Sequence, residues 1–394
     1  MRIVSGKYLL FGFLFCICSC STLKKSLNDV PQYFSEESEK QKLISDARYC
    51  SQSEDYENAI ILYNQLIEKY PLQGTYYTEK ANVLYKQGQY AESLIYLNKA
   101  IELQDDNIFD SYYLRAEIFY EQEKLQEAKK DFEKATELKK NCSSCYNYLA
   151  SINSRLYEDL QAIANFKKAI ELDPLITTYY QNLALEYAKQ NLFDSSLTFL
   201  NKAIIINRNK ASLYFVKGII LYEKDDRIRA DSNTIKSLKM DPSISELLLT
   251  EVYHSVMNNK LSFAAHLLDM GISVYPTHIP FLIKRAEICE YKRDNTCAIE
   301  FYSRALSIHS AETDWYLKRG KLLFMEQNYN EAIIDFSRVL ESQPYNTEIL
   351  LKRGYALYRL NNSEGAEADW TAAYNQGDNR AKEYLKIYLK VEYP

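Results

Sequence analysis

Eight cysteines and four histidines are the residues of this chain best suited to covalent or metal chemistry, and their spacing limits what they can do. Cys142-Ser143-Ser144-Cys145 has the Cys-x-x-Cys spacing of a redox pair, half a zinc site or a local disulfide. A zinc site would need a second pair of ligands nearby, and Cys289 and Cys297 lie far downstream. Those two form a second candidate pair in their own right. The histidines, His254, His266, His278 and His309, are scattered over separate segments and read as ordinary surface or core residues. There is no glycine loop for phosphate, no Gly-x-Ser-x-Gly elbow and no His-Glu-x-x-His pair. The adjacent carboxylates Glu36-Glu37 and Asp105-Asp106 read as solvated. These residues point away from an enzyme, and no metal or cofactor is expected.

What must position side chains here is a repeat. In 313–346 the residues Tyr316, Gly320, Leu323, Tyr329, Ala332, Phe336, Val339 and Pro344 are spaced as two short antiparallel helices require, and the spacing returns every 34 residues. Position eight reads Ala47, Ala81, Ala116, Ala150, Ala184, Gly218, Val252, Ala286, Gly320, Gly354. Position twenty is alanine or serine throughout, from Ala59 to Ala366. Small residues at both places let helix backbones approach closely. Position twenty-four supplies bulk, including Tyr63, Phe132, Phe166, Tyr302, Phe336 and Trp370. Pro71, Pro174, Pro242, Pro276 and Pro344 close repeats, because proline cannot continue a helix.

This pattern resembles the tetratricopeptide repeat (TPR). The resemblance covers 40–379 as ten repeats: 40–73, 74–108, 109–142, 143–176, 177–210, 211–244, 245–278, 279–312, 313–346 and 347–379. One extra residue interrupts the period near 105–108. The resemblance implies an all-α fold, a right-handed superhelical solenoid of helix pairs with a concave inner groove. Residues 380–390 have the pattern of one more helix, with Ala381, Tyr384, Leu385 and Tyr388 on one face. A solenoid needs its last apolar face covered, so this segment is expected to cap the stack.

By the same resemblance, inner positions of the first helix of each repeat line the groove, and protein or peptide partners are expected there. The candidate contact residues are Tyr113 and Tyr120 in the third repeat, then Phe215, Ile219, Tyr222, Leu249, Tyr253 and Ile283. Leu317, Phe324, Leu351, Tyr355 and Tyr358 complete the set. Repeats four and five present Asn147, Ser151, Ser154 and Gln181 instead. The lysines and arginine of the family's carboxylate clamp are missing, so that activity does not carry over. Lys284-Arg285, Lys318-Arg319 and Lys352-Arg353 recur one repeat apart, either as a basic ladder or as partners of neighbouring acidic residues.

The N-terminus carries an address. Arg2 and Lys7 precede a short apolar run ending Ile17-Cys18-Ser19-Cys20, which resembles a bacterial lipoprotein signal peptide over 1–19. That resemblance implies cleavage before Cys20 and lipidation of Cys20, anchoring the chain to the cell envelope. An outer-membrane site facing the periplasm is expected, with 20–39 as a polar tether. The net charge of −5 offers no basic stripe, so nucleic acid is not expected as a partner.

Polar residues at core places (Thr234, Ser237, Ser255) mark 225–260 as the softest stretch and a candidate hinge. The expected function is a non-enzymatic, envelope-anchored scaffold that binds partners in the groove. The alternative is a glycan or peptidoglycan-fragment receptor that stacks sugars on groove tyrosines.

Overall fold

The structure, a computed structural model, describes residues 20–104 and 108–391, with side chains from residue 36 onward. The expected signal peptide, 1–19, lies outside the described residues, as does most of the one-residue insertion at 105–108. The chain divides into two compact units, one ending at Glu186 and one beginning at Tyr187. Among the described residues all regular structure is helical.

The N-terminal unit runs α1 (Cys20–Gln52), α2 (Tyr56–Lys69), α3 (Gly74–Lys86), α4 (Tyr90–Leu103), α5 (Ile108–Glu121), α6 (Leu125–Leu138), α7 (Ser143–Arg155) and α8 (Asp159–Leu172). The division falls within α9 (Thr177–Lys189). The C-terminal unit continues with α10 (Phe193–Ile206), α11 (Ala211–Glu223), α12 (Arg227–Met240), α13 (Ile244–Met257), α14 (Leu261–Val274), α15 (Ile279–Tyr291) and α16 (Asn295–Ile308). It ends with α17 (Thr313–Met325), α18 (Tyr329–Ser342), α19 (Thr347–Arg359), α20 (Ser363–Asn375) and α21 (Asn379–Tyr384). Within each unit the helices stack in series, each against its sequence neighbours. The segment 20–39, expected as a tether, is the N-terminal part of α1.

The small residues sit where the sequence requires them. Ala47, Ala81, Ala116, Ala150 and Ala184 at position eight are fully buried, as are Ala59, Ala128, Ala162, Ala298, Ala332 and Ala366 at position twenty. Ser93 at position twenty sends its hydroxyl 2.8 Å to the Ala81 carbonyl, which shows how near the two backbones run. The bulky position twenty-four residues Tyr63, Phe132, Tyr302, Phe336 and Trp370 fill the space beside them and are buried. Removing such an aromatic typically costs about 3–5 kcal/mol.

The turn between paired helices is the same in every repeat. Position fifteen adopts a left-handed conformation at Glu54, Gly88, Glu123, Tyr157, Asn191, Asp225, Asn259, Arg293, Gln327 and Asn361. The following N–H reaches back five residues to a helix carbonyl, for example Gln89 to Leu84 at 2.9 Å and Asp294 to Cys289 at 2.9 Å. This satisfies carbonyls that the helix end would otherwise leave bare. Only Gly88 is glycine, the residue that tolerates this backbone without strain.

The stretch 225–260 lies inside the C-terminal unit rather than at the division of the chain. Its polar core residues pack rather than open the stack. A Cβ on Gly218 would collide with Thr234 Oγ1, so the missing side chain at one position makes room for threonine at the other. Ser237 is fully buried and donates 2.7 Å to the Thr234 carbonyl. At the other end, α21 passes into a π-helical turn, Leu385–Leu389. Ala381 and Leu385 are buried against the last repeat, and Tyr384 meets the Trp370 ring edge-on at 5.6 Å.

Candidate functional site

The first helices of the C-terminal repeats carry most of the expected groove residues, and the structure sorts them into core and surface. Phe215 is 4% exposed and belongs to the core around Leu248 and Phe263, so it offers no face to a partner. Neighbouring first helices lie close enough there to enclose it. Leu351 is also 4% exposed, yet it forms the floor of a cavity. Ile219, Tyr222, Leu249, Ile283, Leu317 and Phe324 are half-buried, and Tyr253 stands 62% exposed. Tyr355 and Tyr358 lean on Tyr388 of the C-terminal turn, with ring centroids 5.7 and 5.1 Å apart.

Three of the expected residues converge. Leu249 and Tyr253 on α13 and Ile283 on α15 line an apolar cavity of about 340 Å³. Val252, Val256 and Ile288 complete its walls, and Met257, Pro280 and Tyr291 stand at its edge. Met257 and Tyr291 are 68% and 70% exposed, an unusual state for side chains of that size beside an apolar hollow. Lys284 and Glu287 border it and pair with each other at 2.8 Å. Lys318 approaches Glu287 at 3.7 Å, so the charged rim is nearly balanced. A neutral rim around an apolar hollow suits an aliphatic or aromatic side chain from another molecule.

Met257 and Tyr291 were not among the residues expected from sequence, though a signal existed. Position thirteen is polar in earlier repeats, at Lys86, Glu121, Arg155, Lys189 and Glu223, and turns apolar at Met257, Tyr291 and Met325. Register alone does not single it out, because the family pattern does not count position thirteen among the inner positions.

The N-terminal unit places Tyr113 and Tyr120 differently. Both meet Tyr148 edge-on, at 6.2 and 5.4 Å, and Tyr148 stacks on Phe132 at 4.7 Å. Tyr148 donates 3.0 Å to Glu117, which burial holds above the usual glutamate range despite hydrogen bonds from Tyr148 and Tyr113. Burial likewise pushes the Tyr113 hydroxyl up to about 12. These rings form an internally bonded cluster and leave less surface for a ligand than the sequence suggested.

The arginines of the recurring Lys-Arg pairs turn inward. Arg319 binds Asp335 and Arg353 binds Asp369, each through two hydrogen bonds of 2.6–2.8 Å, and Arg285 reaches Asp269 at 2.8 Å. The lysines pair with Glu287, Asp314 and Glu348. No free basic ladder remains.

Cys142 and Cys145 are joined as a disulfide at the start of α7, with Cα atoms 5.3 Å apart, and Cys142 Sγ also accepts the Cys145 N–H. Cys289 and Cys297 join α15 to α16, with Cα atoms 5.8 Å apart. Among the described residues there is no group of three or more histidine, cysteine or acidic side chains arranged for a metal. None of the described helices is long and apolar enough to cross a membrane.

Tetratricopeptide repeat family profiles match residues 49–72, 72–141, 177–210 and 317–381. A curated relative is anaphase-promoting complex subunit 3 of Schizosaccharomyces pombe (strain 972 / ATCC 24843), 20% identical over 201 residues. The match covers 50% of this chain and 30% of that protein, so the chain spans less than a third of the relative's length. Among solved structures, YrrB, described as a TPR protein with an unusual peptide-binding site, is 22% identical over 46% of this chain and 92% of its own, with a TM-score of 0.40. MamA is 20% identical over 42% and 96%, at 0.39. The Naa15/Naa10 complex bound to HypK-THB is 12% identical over 88% and 66%, at 0.38.

Proposed function

For this solenoid of tetratricopeptide repeats, we propose a scaffold that holds a protein partner by inserting one of its apolar side chains between α13 and α15. One observation carries the reading: the hollow walled by Leu249, Val256 and Ile283, with Tyr253, Met257 and Tyr291 exposed around it. Burying one leucine-sized side chain there would contribute about 1.5–3 kcal/mol, enough to fix register but too little for a stable complex alone. Further contact along the first helices must supply the rest. In this reading the chain acts by bringing partners together.

Cys20 supplies the address in this proposal. A lipid on its sulfur would hold the repeats at the envelope, on the periplasmic side of the outer membrane. Cys20→Ala should move the protein from the membrane fraction to the soluble one. Membrane retention equal to wild type would remove the anchor.

The glycan reading has less support. Of the tyrosines it would use, Tyr355 and Tyr358 are engaged with Tyr388, and only Tyr253 is broadly exposed. The test is a crosslinking comparison from membranes using Ile283→Asp and the surface variant Tyr253→Glu, each checked for folding by circular dichroism. Both should reduce recovery of crosslinked protein partners about tenfold or more. Recovery at the wild-type level in two folded variants would refute the pocket as the docking point. Loss of muropeptide binding with protein capture intact would favour the glycan receptor.

A further inference from the structure

A second cavity, of about 440 Å³, lies at the C-terminal end of the same unit, bounded by α17, the start of α18, α19 and α21. Its apolar walls are Phe324, Leu351, Tyr355 and Tyr384. Its charged lining is Lys352, Arg359 and Arg380 against a single carboxylate, Glu348.

Arg359 is unlike the other arginines of this unit's repeat helices. Arg285, Arg319 and Arg353 each hold an aspartate. Arg359 Nη1 donates instead to two phenol oxygens, Tyr329 Oη at 3.0 Å and Tyr355 Oη at 3.2 Å. Among the described residues no carboxylate pairs with it. Each phenol oxygen accepts from the guanidinium and so keeps its own O–H to donate. One guanidinium and two hydroxyl donors are thus gathered at one place beside an apolar wall.

The surrounding charge favours an anion. Lys321 binds Glu348 at 3.0 Å, with Lys352 4.0 Å away, and Asp378 holds Arg380 at 2.6 Å. Four cations therefore face two carboxylates: Lys352 shares Glu348 with Lys321, and Arg359 has no carboxylate partner among the described residues. The excess is felt by Glu348, which the Lys321 hydrogen bond holds below the usual glutamate range, with Lys352 and Arg380 adding to it.

We propose that this cavity binds a carboxylate of a partner peptide, with Arg359 as the primary contact and the adjoining apolar residue of the peptide against Phe324 and Leu351. The planar guanidinium fork matches a carboxylate, and the half-apolar lining matches a peptide rather than a free inorganic ion. Arg359 comes from the last turn of α19 and Arg380 from the C-terminal helix beyond the repeats, so the site exists only because the cap folds over the final pair. It is separate from the α13–α15 hollow, and failure of either site leaves the other standing.

The test uses the full chain and three fluorescein-labelled short peptides that share a Phe flank: one with an internal Glu and an amidated end, one with Gln and an amidated end, and one with Gln and a free C-terminal carboxylate. Anisotropy should show at least one carboxylate peptide binding about tenfold tighter than the neutral one. Arg359→Gln, an exposed change that leaves the folded core intact, should erase that difference. Which carboxylate peptide gains identifies the source as a side chain or a chain end. Equal binding of all three peptides, absence of binding by all, or a difference that survives Arg359→Gln would overturn the proposal. A phosphoserine version binding more tightly than either carboxylate peptide would overturn it as well.

Discussion

Arg319 and Asp335 meet across α17 and α18 in a two-pronged ion pair, Nε to Oδ2 at 2.8 Å and Nη2 to Oδ1 at 2.7 Å, with Asp335 fully buried. Arg319 also donates to Ser303 of α16, so one guanidinium ties a repeat to the one before it. The hydrogen bond to Asp335 holds Arg319 above its usual value, while burial holds Asp335 above the usual aspartate range against the pull of the guanidinium. The same bridge, sixteen residues apart, recurs as Arg115–Asp131 and Arg353–Asp369.

Breaking one half should cost far more than removing both. Asp335→Ala strands a partly buried guanidinium and is expected to destabilise the C-terminal unit by about 3 kcal/mol. Arg319→Met with Asp335→Leu should recover most of that loss in chemical denaturation. A single variant as stable as wild type would show that the pair contributes nothing to the stack.

The helix-pair turns offer a purely backbone test. Gly88 has φ +74° with open space where a Cβ would go, so Gly88→Ala adds strain and no clash, expected at about 1 kcal/mol. Arg293 holds φ 58° on an exposed turn, and Arg293→Gly should relieve strain by a similar amount, less the entropy glycine loses on folding. Opposite signs in urea melts are the expected result; matching signs would mean the turn is not held left-handed.

His278 caps α15 beside Phe281, ring centroids 4.1 Å apart, with a buried Nδ1 that has no partner among the described residues. Burial holds it below the usual 6.5. The unfolded chain then takes up the proton before the folded one does. The stability it contributes is present above about 6.5 and is lost as pH falls through the lower folded value. His278→Asn should flatten the dependence of Tm on pH between about 7.5 and 5.5 relative to wild type. An unchanged slope would place the sensitivity in other groups.

Much of this architecture could be read from residue spacing alone. Close approach of two helices demands a small side chain at a fixed position, and alanine or glycine states that demand in nine of the ten repeats from Ala47 to Gly354, Val252 being the exception. Helix type, pairing and the apolar face of the C-terminal cap follow from such local periodicity. Periodicity, however, does not say how far neighbouring helices close over a given position. Phe215 and Leu249 occupy the same place in successive repeats, yet one is enclosed in the core and the other lines an open hollow. Nor could it show that Tyr329 and Tyr355, far apart in sequence, would both hold Arg359. Spacing within a repeat fixed which faces are apolar, since helix geometry is local. Which of those faces stayed open was decided only by the three-dimensional stacking, since exposure depends on residues that spacing does not relate.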